Sequence, residues 1–297
     1  MRVLLFGSGA MACLFGARLS RVAQVTLLDA WAEGIAAIRE RGILFEDSRG
    51  TKTVRVQAEP LGARIARADL AIVLVKSWQT ADVAGYIPEC LSPEGIAISL
   101  QNGLGNVELL GPRAFPGTTA EGATLLGPGH VRAGGSGPTH AVAPAWVVDL
   151  LNSGGFDCRG CNPMEAEGLL WGKLSVSCGI NALTALLRIP NGKLLDIPDA
   201  TDLMARAAAE CADVARARGI KLPFADPARR AREVAERTAA NQSSMLQDLL
   251  RGAPTECDAI NGAVVREGRK AGVATPVNEI LWQLIRASVH RNGSHFS

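Results

Sequence analysis

Residues 2–12 read RVLLFGSGAMA, and this stretch decides the fold. Arg2 to Phe6 is a short apolar run of the kind that a strand buried on both faces requires. Gly7-Ser8-Gly9-Ala10-Met11-Ala12 then turns the chain and opens a helix that runs through Ala17 and Leu19. The spacing is GxGxxA. The first glycine permits the tight turn, the second lets a pyrophosphate approach the backbone, and the small third residue allows close helix–strand packing. The helix start aims its unsatisfied N–H groups at the phosphates. Asp29 closes the next apolar run, Gln24 to Asp29, 20 positions after Gly9. A carboxylate there accepts from ribose hydroxyls and repels a 2′-phosphate, so the pattern points to a dinucleotide with NAD(H) favoured. A solvated strand end would also explain Asp29. NADP(H) remains the alternative, because Lys76 follows the 70–75 run (LAIVLV) and could reach a phosphate or the adenosine.

Outward from this core, residues 31–41 are expected to be helical. Residues 43–45 and 53–56 suggest a hairpin with Ser48, Arg49 and Gly50 at its tip. The 70–75 and 96–100 runs are again short and continuously apolar, as in a parallel sheet covered by helices on both faces. Gly-rich, Pro-containing strands between Gly117 and Val142 are expected to extend the same sheet in antiparallel sense. From about Met164 strand signals fade, and helices are expected over 168–187, 201–217, 227–236, 256–271 and 277–290. The fold class is therefore α/β: an amino-terminal Rossmann-type doubly wound sheet (1–163) followed by an all-helical domain (164–297).

Composition narrows the function classes. Hydrophobic residues make up 47% of the 297, charged residues 20%, and the net charge is +2. That balance builds a real core and gives no electrostatic footprint for nucleic acid or an acidic membrane. The opening apolar run has an Ala10-Met11-Ala12 like a signal-peptide cleavage site, but Gly7 and Gly9 interrupt it where a strand-to-helix turn falls. No segment reaches the ~18–20 unbroken apolar residues of a membrane span. Cys158 and Cys161 make a lone CxxC, and His130, His140, His290 and His295 lie outside ligand spacing. No metal site is expected, and the seven cysteines read as unpaired thiols of a reducing cytoplasm.

The chemistry sits on three segments. Asn102, in Gln101-Asn102-Gly103, follows the 96–100 strand and so reaches the crevice outside the strand ends, unless it is an ordinary Asn-Gly turn. The 168–187 helix is apolar round most of its circumference, yet Lys173, Ser177 and Asn181 recur at i, i+4 and i+8 along one stripe. Such a stripe must meet other polar groups or water, because unpaired burial is costly. A solvated surface lysine is the bland explanation. Ser244, in the polar run 241–248, and Glu256 would face that stripe, although capping of the next helix also explains Thr255 and Glu256.

Taken together, GxGxxA at the start, QNG at 101–103, WGKL…N.LTAL at 171–186, SSMLQD at 243–248 and TE.D..NG at 255–262 resemble the ketopantoate reductase family. The resemblance implies a Rossmann domain joined to a helical domain with a small 2-oxo or 2-hydroxy acid held between them. It implies that Lys173 is the general acid that protonates the nascent alkoxide, with Glu256 completing the polar network. Asn102 and Asn181 would position substrate and nicotinamide, and Ser244 would bind the substrate carboxylate region. Two positions depart from the family pattern. Ser177 stands where Asn is usual, and Ala30 stands where an Arg usually holds the NADP 2′-phosphate. An NAD(P)-dependent oxidoreductase of this family, transferring a hydride between a nicotinamide and C2 of a small 2-oxo or 2-hydroxy acid, is thus expected; both departures fit an NAD-dependent 2-hydroxyacid dehydrogenase, and NADPH-dependent 2-dehydropantoate 2-reductase is the alternative. A dinucleotide sensor without turnover is a further alternative, disfavoured by the presence of Lys173. The apolar carboxy-terminal helix, with Leu281, Trp282, Leu284 and Ile285, is read as covering the chain's own core, with a homodimer left open.

Overall fold

The computed structural model describes residues 1–293, with side chains through Val289; His295 and the end of the expected second domain lie outside them. The chain forms two compact units, one of residues 1–101 and 106–166, the other of residues 102–105 and from 167 onward. The division thus falls three residues beyond the expected 163/164 boundary. Residues 102–105 join the second unit because Leu104 N donates to Ala259 O at 3.1 Å.

The first unit contains twelve strands: β1 (Arg2–Phe6), β2 (Gln24–Asp29), β3 (Ile43–Asp47), β4 (Gly50–Val54), β5 (Gln57–Pro60), β6 (Ala68–Val73), β7 (Leu91–Ser99), β8 (Ala114–Thr119), β9 (Ala123–Gly127), β10 (His130–Ala133), β11 (Thr139–Ala141) and β12 (Cys158–Gly160). Eight of them form one sheet in the order β12-β11-β8-β7-β6-β1-β2-β5. β1 pairs in parallel with β2 on one side and β6 on the other, so the winding reverses at β1. In such sheets ligands bind at the carboxyl ends of the strands that flank the switch point, here β1 and β6. Alternate residues of β1 enter different cores: Val3 and Leu5 pack with the Ala10–Leu19 helix, Leu4 and Phe6 with Val83, Ile87 and Leu110. Burial on both faces is why the run is unbroken.

Two expectations about this unit need correction. The 117–142 region does not all extend the main sheet. β8 and β11 do so, antiparallel to one another, but β9 and β10 join the β3–β4 hairpin in a separate four-stranded sheet, order β4-β3-β10-β9. The β3–β10 pairing is parallel, Phe45 opposite Val131, and joins residues far apart in sequence. β5 was not anticipated as a strand, because as an edge with a single buried residue, Ala58, it shows no apolar run.

The second unit is helical, with helices at Pro163–Leu187 (beginning in the first unit), Pro198–Ala217, Pro227–Arg237, Ser244–Leu250, Asn261–Ala271 and Pro276–Gly293. Four of these open on a proline, whose missing N–H and fixed φ suit the first helical position. The first is closed by a reciprocal cap: Glu165 N donates to Asn162 Oδ1 and Asn162 N to Glu165 Oε2, both at 2.9 Å. The expected 256–271 helix begins only at Asn261, and Ile260 precedes it without a side-chain cap. Within the 241–248 run, read as a polar cluster, a short helix (Ser244–Leu250) begins, which Ser243 caps by accepting from Leu246 N at 3.1 Å.

The Pro163–Leu187 helix is long and apolar enough by length and composition to cross a membrane, the one such helix among the described residues. Of its apolar window 61% is buried inside the chain, which makes it the core helix of this unit. Glycines bring its neighbours close: a Cβ would lie 2.4 Å from Lys221 O at Gly168, 2.8 Å from Pro223 Cδ at Gly172 and 2.7 Å from Met204 O at Gly179. Below it, buried Asn261 donates to Cys178 O (2.9 Å) and Asn278 Oδ1 (3.0 Å), while Asn278 donates to Ala207 O and Glu210 Oε2. Four helices are thereby held in register. In the carboxy-terminal helix Leu281 and Ile285 enter the core, whereas Leu284 is 48% exposed, so only part of the expected apolar face is covered by the chain itself.

Candidate active site

The glycine turn of residues 7–12 sits at the switch point of the first unit. Gly7 has φ +125°, and a Cβ there would press on Val75 N at 3.3 Å, so only glycine suits the position. A Cβ at Gly9 would meet nothing within 4 Å, so the backbone over this residue is open. Gly9 precedes the Ala10–Leu19 helix without a side-chain cap, and no acidic residue stands in its first turn. The helix N–H groups and an unscreened positive dipole end therefore remain for an anion. Gly9, Ala10 and Met11 keep exposed surface, whereas Ala12 is buried against the sheet. These residues fit the pyrophosphate of a dinucleotide.

Ser8 takes a different part from its neighbours. It is fully buried, and both its N–H and its hydroxyl donate to Asp29 Oδ2, at 2.6 and 2.7 Å. Asp29 Oδ1 accepts from Trp31 N at 3.3 Å. Asp29 is thus a buried, oriented carboxylate rather than a solvated strand end, with Oδ1 the less occupied oxygen. Lys76, half-buried, lies three residues beyond β6 and so on the far side of β1 from Asp29. Two strand spacings, about 10 Å, separate β6 from β2. Lys76 flanks the glycine turn, not the end of β2.

Gln101 has a structural role that the sequence alone does not assign. Buried at the end of β7, it donates to Val75 O (3.0 Å) and Thr80 Oγ1 (2.8 Å) and accepts from Ser99 Oγ (2.9 Å). It ties the turn after β7 to the 75–80 segment. Its position in a conspicuous Gln-Asn-Gly was the available signal.

The second unit gathers the polar residues. Within the 171–185 stretch of the core helix only Lys173, Val176, Ser177 and Asn181 keep exposed surface, and all four are half-buried. At about 100° per residue, Lys173, Ser177 and Asn181 lie opposite Gly168, Gly172 and Gly179. One face is thus pressed into the bundle and the other remains open to solutes. Glu256, 4% exposed, stands beside Lys173, and its carboxylate Oε2 accepts from Asn102 Nδ2 at 3.2 Å. Asn102 is delivered there by Gly103, whose φ is +81° and whose Cβ would lie 2.3 Å from Ala259 O. A side chain at 103 would push the segment off.

Burial lowers the pKa of Lys173 from 10.5 to about 8, while the negative charge of Glu256 opposes the change. The residue is half-buried, and desolvation outweighs the attraction of Glu256. A lysine tuned to about 8 exchanges a proton near neutral pH, as general acid–base work requires. Glu256 does not cap a helix, since the helix after it starts at Asn261. Its carboxylate serves Lys173 and Asn102 instead. Ser244 opens the short Ser244–Leu250 helix and is half-buried. No hydrogen bond joins it to the Lys173 group among the described residues. Cys158, buried in β12, has its thiol pushed up to about 11, and Cys161 is raised as well. Neither thiol has the lowered pKa of a reactive cysteine.

Comparison with known proteins identifies the family. Residues 3–144 match the family described as Ketopantoate reductase PanE/ApbA, and residues 165–289 match its C-terminal domain. The chain belongs to the ketopantoate reductase family. A 2-dehydropantoate 2-reductase of Halobacterium salinarum is 36% identical over 96% of this chain and 98% of its own length. Among solved structures, a PanE/ApbA family ketopantoate reductase from Ralstonia eutropha JMP134 superposes with a TM-score of 0.91 at 31% identity, covering 99% of this chain and all of that one. A D-mandelate dehydrogenase in ternary complex with NADH and anilino(oxo)acetate gives 0.92 at 26% identity, over 99% and 100% of the two chains. The protein is therefore an NAD(P)-dependent oxidoreductase of the ketopantoate reductase family.

Proposed function

We propose that the protein is an NAD(H)-preferring reductase of small 2-oxo acids, working in reverse as a 2-hydroxyacid dehydrogenase, with Lys173 as general acid and base. The observation that carries this reading is the Lys173–Glu256–Asn102 group on the open stripe of an otherwise buried helix. Gly7, Gly9, Ala10, Met11 and Ala12 would hold the pyrophosphate, Ser8 would orient Asp29, and Asp29 Oδ1 would accept from the adenosine ribose. Lys76 would lie beside the phosphates. A dinucleotide held by these residues would supply hydride-transfer chemistry.

The protein's own contribution is charge and position. The Lys173 ammonium donates a hydrogen bond to the C2 carbonyl oxygen, stabilises the negative charge that grows there, and gives up its proton to form the hydroxyl. The lysine is left neutral and recovers a proton from solvent. In the oxidative direction neutral Lys173 removes the hydroxyl proton. Glu256 keeps the ammonium accessible against its desolvation, and Asn102 is oriented by the same carboxylate. Ser177 and Asn181, on the lysine's stripe, line the substrate position, and Ser244 would receive the substrate carboxylate. The seven cysteines are all unpaired, in keeping with a cytoplasmic, reducing setting.

The second reading, NADPH-dependent reduction of 2-dehydropantoate, is favoured by the relatives that carry that name. Steady-state rates decide between the two. NADH and NADPH would each be paired with ketopantoate, pyruvate, 2-oxobutyrate and phenylglyoxylate. A higher kcat/KM with NADH and a 2-oxo acid other than ketopantoate supports the first reading. A clear preference for ketopantoate with NADPH replaces it by the second.

A further inference from the structure

Beyond the end of β2 the chain continues Asp29-Ala30-Trp31, and Trp31 is built into the turn. Its N–H donates to Asp29 Oδ1 at 3.3 Å, while Asp29 Oδ2 is anchored to Ser8 of the glycine turn. The indole lies on Gly34, in the first turn of the Ala32–Arg41 helix. A Cβ at Gly34 would stand 2.4 Å from Trp31 Cε3, 2.8 Å from Cζ3 and 2.7 Å from Ser8 Oγ. The missing side chain at 34 thus makes the slot in which the indole and the Ser8 hydroxyl meet. Trp31 is half-buried.

This corner decides what the ribose 2′ position can carry. The Ala32–Arg41 helix offers an N-terminus there, and a 2′-phosphate with a charge of about −1.5 to −2 would otherwise be drawn to it. Trp31 occupies the residue before that helix without contributing a polar cap, and Glu33 adds an acidic side chain in its first turn. Asp29 is a third unfavourable element. No residue from 29 to 34 is cationic. A flat aromatic face, in contrast, suits a neutral purine, because every base has a π-face to stack.

We propose that Trp31 is a specificity residue for the dinucleotide, stacking on the adenine and closing the corner to a 2′-phosphate. The inference rests on the dinucleotide reading above and assigns its preference to a second residue besides Asp29. Gly34 is the positioning residue that seats the indole.

The test measures binding, not turnover. Dissociation constants for NADH, NADPH and ADP-ribose would be determined by titration calorimetry on the wild type and on Trp31→Phe, Trp31→Ala and Trp31→Arg, with circular dichroism to verify folding. Trp31→Phe should retain NADH and ADP-ribose affinity within about threefold. Trp31→Ala should weaken both by roughly 5- to 50-fold, the size of one lost base stack. Trp31→Arg should narrow the NADH-over-NADPH ratio by tenfold or more through gained NADPH affinity. Folded Trp31→Ala and Trp31→Arg proteins with wild-type affinities for all three ligands would overturn the assignment. Failure of the wild type to bind any of the three would instead refute the dinucleotide reading itself, and this inference with it.

Discussion

Replacing Glu256 with Gln separates charge from shape at the candidate site. The substitution keeps the volume and can still accept a hydrogen bond from Asn102, but it removes the negative charge that opposes the desolvation of Lys173. With a pKa of about 8, Lys173 is charged in about 90% of molecules at pH 7 and about 10% at pH 9. Carbonyl reduction needs the charged form, so kcat/KM should be flat below pH 7 and fall about tenfold per unit above pH 8. Oxidation of the hydroxy acid should show the opposite slope. An opposite charge within a few ångströms shifts a pKa by about one to three units, so Glu256→Gln should move the break from about 8 to between roughly 5 and 7. Reduction at pH 7 would then fall between about twofold and 100-fold, and most of the loss should be restored as the pH is lowered. The assay is the pH profile of kcat/KM for reduction, wild type against variant, from pH 5 to 10. An equal loss at every pH, with the break still near 8, would refute the electrostatic role and leave Glu256 as a spacer.

Other consequences follow from the same geometry. The pKa of Lys173 is lower in the folded state (about 8) than unfolded (10.5), so wild-type stability relative to Lys173→Met should rise with pH between those values, by at most about 3 kcal/mol and less to the extent that solvent reaches the open stripe; urea unfolding at pH 7 and 10.5 measures it. Gly103→Ala places a Cβ against Ala259 O at a positive φ, and should cost about 1–3 kcal/mol together with a kcat loss, read by urea unfolding and kinetics. Asn261→Ala removes a buried donor from Cys178 O and Asn278 Oδ1, and thermal melts should show about 1–3 kcal/mol of destabilisation.

The parts of this protein that are legible in its sequence are those whose physics is local. β1 and β2 stand out because both faces of each strand are buried, and the glycine turn because Gly7 requires a positive φ. The Lys173 stripe is legible because helical periodicity alone places residues 173, 177 and 181 together. What escapes is set by distant partners. The second sheet depends on β3 meeting β10, which nothing in either strand announces. β5 is an edge with little to bury. The Ser244–Leu250 helix hides Met245, Leu246 and Leu249 among polar neighbours. The late start of the helix at Asn261 follows from residues 256–260 turning back on themselves, with Glu256 O accepting from Ala259 N and Ile260 N. Membership of Asn102 in the helical unit rests on Gly103 meeting Ala259, a contact no local pattern encodes.

The most direct test of the central claim is single-turnover reduction of a good 2-oxo acid substrate by Lys173→Ala, alongside its dissociation constant for NADH. A general acid positioned by Glu256 predicts that the chemical step slows by about 100- to 10,000-fold while NADH affinity stays within about threefold of wild type. A chemical step of wild-type rate in a folded Lys173→Ala protein would contradict the account, because the hydride transfer would then draw its proton from somewhere else.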